Sequence, residues 1–188
     1  RTIEEYQDTL GRILEETMRL NQTVEQLLLL SRISDENYKV AVQVFDCAEV
    51  IRAVVKEFQI ACEVKSIKLQ CEVPEAFSFN GISNLIIEAL SNIIDNAIRH
   101  TPEKGVIRVK LNEKEADGLI MCLSVADSGP GVSSSFQDLI NKPKDLHSDG
   151  HGLGLAIVLD IVKLHRGNVR CAQSDLGGAE FILEFPLQ

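Results

Sequence analysis

The chain has 188 residues, 45% hydrophobic and 25% charged, with a net charge of −9. This is the composition of a soluble globular protein, long enough for one good core plus an appendage. It excludes a bilayer span, because apolar runs such as residues 27–30 are far short of what a bilayer needs, and it excludes a broad nucleic-acid or anionic-membrane surface, so any phosphate has to be held by local groups.

Residues 1–33 read as one long helix, with Ile3, Tyr6, Leu10, Ile13, Leu20, Val24 and Leu27 spaced alternately by three and four, and Thr17 and Ser31 as softer positions in the same seam. A lone helix cannot bury such a stripe, which calls for a bundle or coiled-coil partner; packing on the chain's own later elements is the plainer alternative. A polar linker at 34–37 precedes a strand at 40–45, a helix at 48–60, a strand at 67–73, a break at Pro74 and a short extended piece at 77–79. Asn80-Gly81 turns the chain into a central helix at 84–101, which Pro102 and Gly105 close. A hairpin of 106–111 with 119–126 follows, then a polar segment from 128 to 150. Loops of about twenty residues in a compact domain are usually functional or disordered. The chain ends in an apolar helix at 153–165 and strands at 169–174 and 180–186, joined through Gly177-Gly178. Three helices and five or more strands beyond the linker predict an α/β sandwich, a sheet with one face covered. Arg1 in place of Met, with no signal peptide, points to a piece of something longer. Five scattered cysteines (Cys47, Cys62, Cys71, Cys122, Cys171) read as reduced core thiols of a cytosolic compartment, not a metal-thiolate site.

Three motifs carry chemistry. On the central helix Ile86, Leu90, Ile93, Ile94 and Ala97 form a core-facing stripe, while Asn92, Asn96, Arg99 and His100 share another face at spacings of three or four. Carboxamide oxygens there suit Mg²⁺ whose octahedron is completed by phosphates; the bland alternative is a wet polar face. Asp127-Ser128-Gly129-Pro130-Gly131 ends a hydrophobic strand, where a carboxylate can accept from an exocyclic amine and glycines let backbone approach a flat base, or where the chain simply turns. Gly150-His151-Gly152-Leu153-Gly154-Leu155 opens a helix, and amides at a helix N-terminus form a phosphate site. It is neither a Walker A loop nor a Rossmann fingerprint.

In that order, the motifs resemble the N, G1 and G2 boxes of the ATP-binding catalytic domain of sensor histidine kinases, within the superfamily shared with gyrase-type topoisomerases and Hsp90 chaperones. Gly177-Gly178-Ala179-Glu180-Phe181 is similar to the family's closing hairpin, and the first helix to the second helix of its dimerisation and phosphotransfer bundle. The resemblance implies a Bergerat-type ATP-binding fold, a mixed sheet covered on one face by three helices, preceded by a long helix. It implies domains at 1–34 (bundle helix, with the first helix and acceptor histidine absent) and 35–188 (ATP-binding). It implies that Asn96 ligates Mg²⁺ with Asn92 beside it, that Arg99 reaches a phosphate, and that His100, where Tyr is common, lies against the nucleotide. Asp127 would read the adenine amine, Gly129 and Gly131 would shape the base pocket, and Gly150, Gly152 and Gly154 would cradle phosphates, with His151, Leu153 and Leu155 in the same box and Lys142, Lys144 and His147 nearby. Ala179 stands where threonine is common. The implied cofactors are ATP and Mg²⁺; the implied partners are a response-regulator receiver domain and a second copy through the helical bundle, with no nucleic acid. The implied location is a cytoplasmic domain of a bacterial inner-membrane sensor.

Four departures stand out. None of the four histidines has the phosphoacceptor spacing, Phe136 is the only aromatic in the 128–150 segment, Ala179 lacks a hydroxyl, and His100 replaces Tyr. Two other functions compete with phosphoryl donation. An ATP-hydrolysing clamp would need a glutamate one turn before Asn96, where Asn92 stands, and Glu88 lies about 12 Å away along the axis. A scaffold or phosphotransfer relative that keeps the fold but not nucleotide binding is opposed by the intact Asn96, Asp127 and G2 glycines.

Overall fold

The computed structural model describes residues 9–11, 13, 17, 20, 24, 27–29, 31, 32, 41–115, 118–133, 140 and 153–187. The chain divides into two compact units, Arg1–Tyr38 and Lys39–Gln188. In the first, every described residue is helical, and Leu10, Ile13, Leu20, Val24 and Leu27 are all more than half exposed. Ile3 and Tyr6 lie outside the described residues.

The second unit opens with β1 (Gln43–Asp46) and α1 (Cys47–Val64). Asp46 caps α1: its Oδ1 accepts from Ala48 N at 3.0 Å and Glu49 N at 3.3 Å, satisfying amides that the helix leaves open. The same oxygen accepts from Phe77 N at 3.0 Å, tying the start of α1 to the segment just before Ser78. After β2 (Lys68–Glu72) and β3 (Ser78–Gly81) comes the central helix α2 (Ser83–His100). Then follow β4 (Val106–Glu115), β5 (Leu119–Asp127), α3 (Leu153–Leu164), β6 (Asn168–Gln173) and β7 (Ala179–Pro186).

β1 and β3 form an antiparallel pair, and the main sheet has the order β2-β4-β5-β7-β6, with β2 parallel to β4 and the remaining pairs antiparallel. Because successive strand residues point to opposite faces, register assigns each side chain to one side. Ile107, Val109 and Leu111 of β4, Leu123 and Val125 of β5, Phe181, Leu183 and Phe185 of β7 and Val169 and Cys171 of β6 lie in register on one buried face. The three helices contact this sheet: α1 at β2, α2 at β5, and α3 at β6 and β7. The opposite face carries ion pairs, Arg108–Asp175 at 2.5 Å, Lys110–Glu72 at 3.3 Å and Arg170–Glu184 at 2.6 Å. The fold is the expected mixed sheet with helices on one face.

Ile86, Leu90, Ile93, Ile94 and Ala97, the stripe read from spacing, are all buried. The cysteine expectation needs one correction. Cys47, Cys62, Cys122 and Cys171 are buried, but Cys71 is exposed on the edge strand β2. Its neighbours alternate in polarity, and an edge strand leaves part of its surface uncovered. Burial pushes the Cys47 and Cys171 thiols up to about 12, so both stay protonated at neutral pH. Among the described residues, no helix is long and apolar enough to cross a membrane.

Candidate functional site

The end of β5 delivers Asp127 to the helix-covered side of the sheet, in register with Ile107, and leaves it only 5% exposed. A buried carboxylate needs hydrogen bonds, and this one takes them from main chain. Its Oδ1 accepts from Gly129 N at 2.8 Å and from Ala179 N at 3.1 Å, while its backbone oxygen accepts from Gly178 N at 3.1 Å. Oδ2 has no partner among the described residues, so one acceptor is anchored and the other is open.

Three glycines allow this closure. A Cβ at Gly129 would sit 2.8 Å from the His100 carbonyl oxygen and 2.9 Å from Asp127 Oδ1. Gly131 has φ of +76°, a left-handed conformation that glycine adopts without strain, and it lies against the Gly178 backbone. A Cβ at Gly178 would overlap Asp127 Oδ1 and come within 2.5 Å of Asp127 O and Gly129 N. Gly178 belongs to the site although its motif marked only a closing hairpin. The available signal was the Gly-Gly pair just before a strand. Ala179 is buried at the same place, where its backbone N–H, not its side chain, makes the contact.

The second cluster lies farther back along α2. Asn92 Nδ2 donates to Glu88 O at 2.9 Å and to Glu88 Oε1 at 3.1 Å, which leaves Asn92 Oδ1 facing the first turn of α3. A Cβ at Gly154 would sit 2.5 Å from that Oδ1. The glycine therefore lets α3 approach α2 closely. Leu153 and Leu155 flank it, both half-buried. Asn96, one turn on from Asn92, is half-buried and makes no hydrogen bond among the described residues, so its carboxamide oxygen is available as a ligand. Asn92 and His100 are separated by about 12 Å along the helix.

Arg99 and His100 are exposed, and Arg99 is engaged in a surface ion pair with Asp95 at 2.7 Å. Gly150, His151, Gly152, Phe136, Lys142, Lys144 and His147 lie outside the described residues. Among the described residues, no group of three or more His, Cys, Asp or Glu could hold a metal ion. An octahedral ion here would take oxygen from a carboxamide and from its own ligand's phosphates, and Asn96 fits that donor set.

Residues 81–188, more than half of the chain, match the family model described as histidine kinase-, DNA gyrase B- and HSP90-like ATPase. The chain belongs to this family. Among its relatives, BaeS of Escherichia coli is 29% identical over 192 residues, which cover 96% of this chain and 40% of that protein. CpxA of Escherichia coli is 31% identical over 186 residues, covering 95% of this chain and 39% of that protein. BaeS is named a signal transduction histidine-protein kinase and CpxA a sensor histidine kinase, and the chain spans about two fifths of their length. Full-length ShkA, solved in complex with AMPPNP, superposes with a TM-score of 0.80 at 26% identity over 97% of this chain and 39% of that one.

Proposed function

We propose that the chain binds Mg-ATP and donates its γ-phosphoryl group to a histidine on the dimerisation domain of a two-component sensor kinase. The observation that carries this reading is the divided state of Asp127, one oxygen fixed by two backbone amides and the other left as an acceptor. A buried acceptor beside glycines suits the exocyclic amine and flat face of adenine. The polar face of α2 then runs from this base end toward Asn96, Asn92 and the first turn of α3, where a triphosphate would meet carboxamides and helix amides.

In this reading Asn96 holds Mg²⁺, which when bound neutralises phosphate charge. Gly150, Gly152 and the start of α3 hold the phosphates, and Arg99, released from Asp95, reaches them. Little covalent chemistry falls to the domain itself, because phosphoryl transfer is catalysed mainly by positioning and charge neutralisation. The arrangement also favours transfer over hydrolysis. Glu88, about 12 Å from Asn96 along the axis, accepts from Asn92 Nδ2, which is a poor state for a base that must take a proton from water.

The helical stripe of residues 1–34 extends the proposal to the whole protein. It would pair with the first bundle helix and with a second copy, presenting a histidine acceptor and a docking surface for a response-regulator receiver domain. The intact protein is then a bacterial inner-membrane sensor with this part in the cytoplasm. Calorimetric titration with ATP, with and without Mg²⁺, tests the core of the reading. Mg²⁺ should strengthen binding to the parent chain, and Asn96→Ala should remove that enhancement. Failure of the folded parent chain to bind ATP would favour a nucleotide-free scaffold.

A further inference from the structure

His165, outside every motif, links the two helices of the site. Its ring Nε2 accepts from Ile82 N at 3.0 Å, and its Nδ1–H donates to the Ile161 carbonyl at 2.8 Å. Together the two bonds fix a neutral Nδ1–H ring. Ile82 is the N-cap residue of α2 and has no side-chain cap of its own, so the imidazole at the end of α3 supplies the partner that its N–H needs. The ring is clamped between Phe79 and Phe185, with centroids 6.1 Å and 5.8 Å away. A Cβ at Gly81 would come within 3.2 Å of it. Past the ring, Gly167 N donates to Val162 O at 2.8 Å and closes α3.

The two helices run in opposite senses, since the end of α3 meets the start of α2 while Gly154 at the start of α3 meets Asn92. Along α3, His165 and Gly154 are about 17 Å apart, and along α2, Ile82 and Asn92 are about 15 Å apart. A helix is stiff along its axis, so fixing one end sets the axial position of the other.

We propose that His165 is a positioning residue for the phosphate end of the site: by joining the end of α3 to the start of α2, it sets how far α3 slides along α2 and hence where Gly154 and the amides beside it meet Asn92. The proposal rests on the reading that the first turn of α3 faces phosphates. It separates the two ends of the site, because Asp127 is held by β7 and the G1 turn and not by α3.

The groups around the ring support a neutral clasp. Phe79 and the Ile82 amide face it from the β3 side, Phe185 from β7, and the Ile161 carbonyl from its own helix. The nearest charged residues in sequence are Lys163 and Arg166. Burial is the leading cause that lowers its pKa from the ordinary value, partly opposed by the bond to Ile161.

The test compares ATP with adenosine on the parent chain, His165→Phe and His165→Gln. Phenylalanine keeps the ring packing and loses both bonds, while the glutamine amide offers an acceptor and a donor. His165→Phe should weaken ATP by about three- to tenfold, the range one hydrogen bond spans, leave adenosine within about twofold, and be partly restored in His165→Gln. Equal loss of both ligands, or no loss in a folded variant, overturns the proposal. If His165→Phe does not fold, NMR titration of the His165 ring in the parent chain decides. A neutral clasp that favours ATP must be favoured by ATP in return, so its pKa falls on saturation, whereas the nucleotide's negative charge alone would raise it. A rise, or no change, overturns the proposal. A parent chain that binds neither ligand refutes the nucleotide reading itself; binding that ignores His165 refutes only the clasp.

Discussion

At the Asp127 end the site is closed by main chain, with three backbone amides converging on one residue, whereas at the Asn92 end it rests on one close helix approach and a histidine some fifteen ångströms away along the helices (about 15–17 Å). Main-chain closure tolerates almost no added volume, because backbone cannot rotate out of the way. A helix–helix contact can adjust by sliding. The Asp127 end is therefore the rigid half and the Asn92 end the adjustable half, as suits the proposed role of holding a nucleotide while presenting its terminal phosphate.

The largest expected effect breaks the rigid half. Gly178→Ala places a methyl group on Asp127 and Gly129 backbone, so it should cost about 2–3 kcal/mol of stability and at least tenfold in ATP affinity. Gly177→Ala next door is the control: nothing lies within 4 Å, and only its φ of +100° is unfavourable, so it should cost about 1 kcal/mol and leave affinity alone. Chemical denaturation and calorimetry on the pair measure both. Comparable losses in the two variants would contradict main-chain closure.

The adjustable half should respond more mildly. Gly154→Ala meets the end of the Asn92 side chain, which can rotate, so stability should fall by about 1 kcal/mol, with ATP weakened more than adenosine. Matching losses for the two ligands would show that the two ends are not separate.

The pH dependence of stability sharpens the same contrast. The folded His165 pKa lies below the ordinary 6.5, so the folded chain binds fewer protons than the unfolded one. Its contribution is complete above pH 6.5 and declines as the pH falls below that value. Asp46 acts in a lower window. The Phe77 amide, chiefly, holds its carboxyl below the usual 3.8, against some desolvation, so its contribution is present above that value and lost as the pH falls through the folded pKa. Urea midpoints against pH should show the upper step vanish in His165→Gln and the lower one persist. The smallest effect belongs to Asp95→Ala, which removes an exposed ion pair: stability should change by about 0.3–0.5 kcal/mol. A larger loss would mean that Arg99 is held for a structural purpose.

Much of this was legible in sequence because it is local. The stripe from Ile86 to Ala97 has helical periodicity, and α2 begins and ends within one residue of the expected 84–101. Asp127 terminates a hydrophobic strand, as its motif indicated. Elements were misjudged where hydrophobic signal fades while pairing continues. β4 runs on to Glu115 through the exposed Asn112–Glu115 stretch because β5 supplies partners, and α1 continues to Val64 with Ile60 and Val64 in solvent. The roles of Gly178 and His165 were not legible. Each depends on a contact across the fold, with Asp127 and Ile82 respectively, and no local pattern encodes a partner fifty or eighty positions away. Gly154 was marked by its motif, but its close approach to Asn92 was not legible there.

The most direct test of the central claim is the affinity of the parent chain and of Asp127→Asn for ATP and GTP. The parent should prefer ATP, and the variant should bind ATP about tenfold or more weakly, with the preference for adenine over guanine reduced, because a carboxylate acceptor has become a mixed amide. An unchanged preference in the folded variant would remove Asp127 from the base pocket and contradict the account.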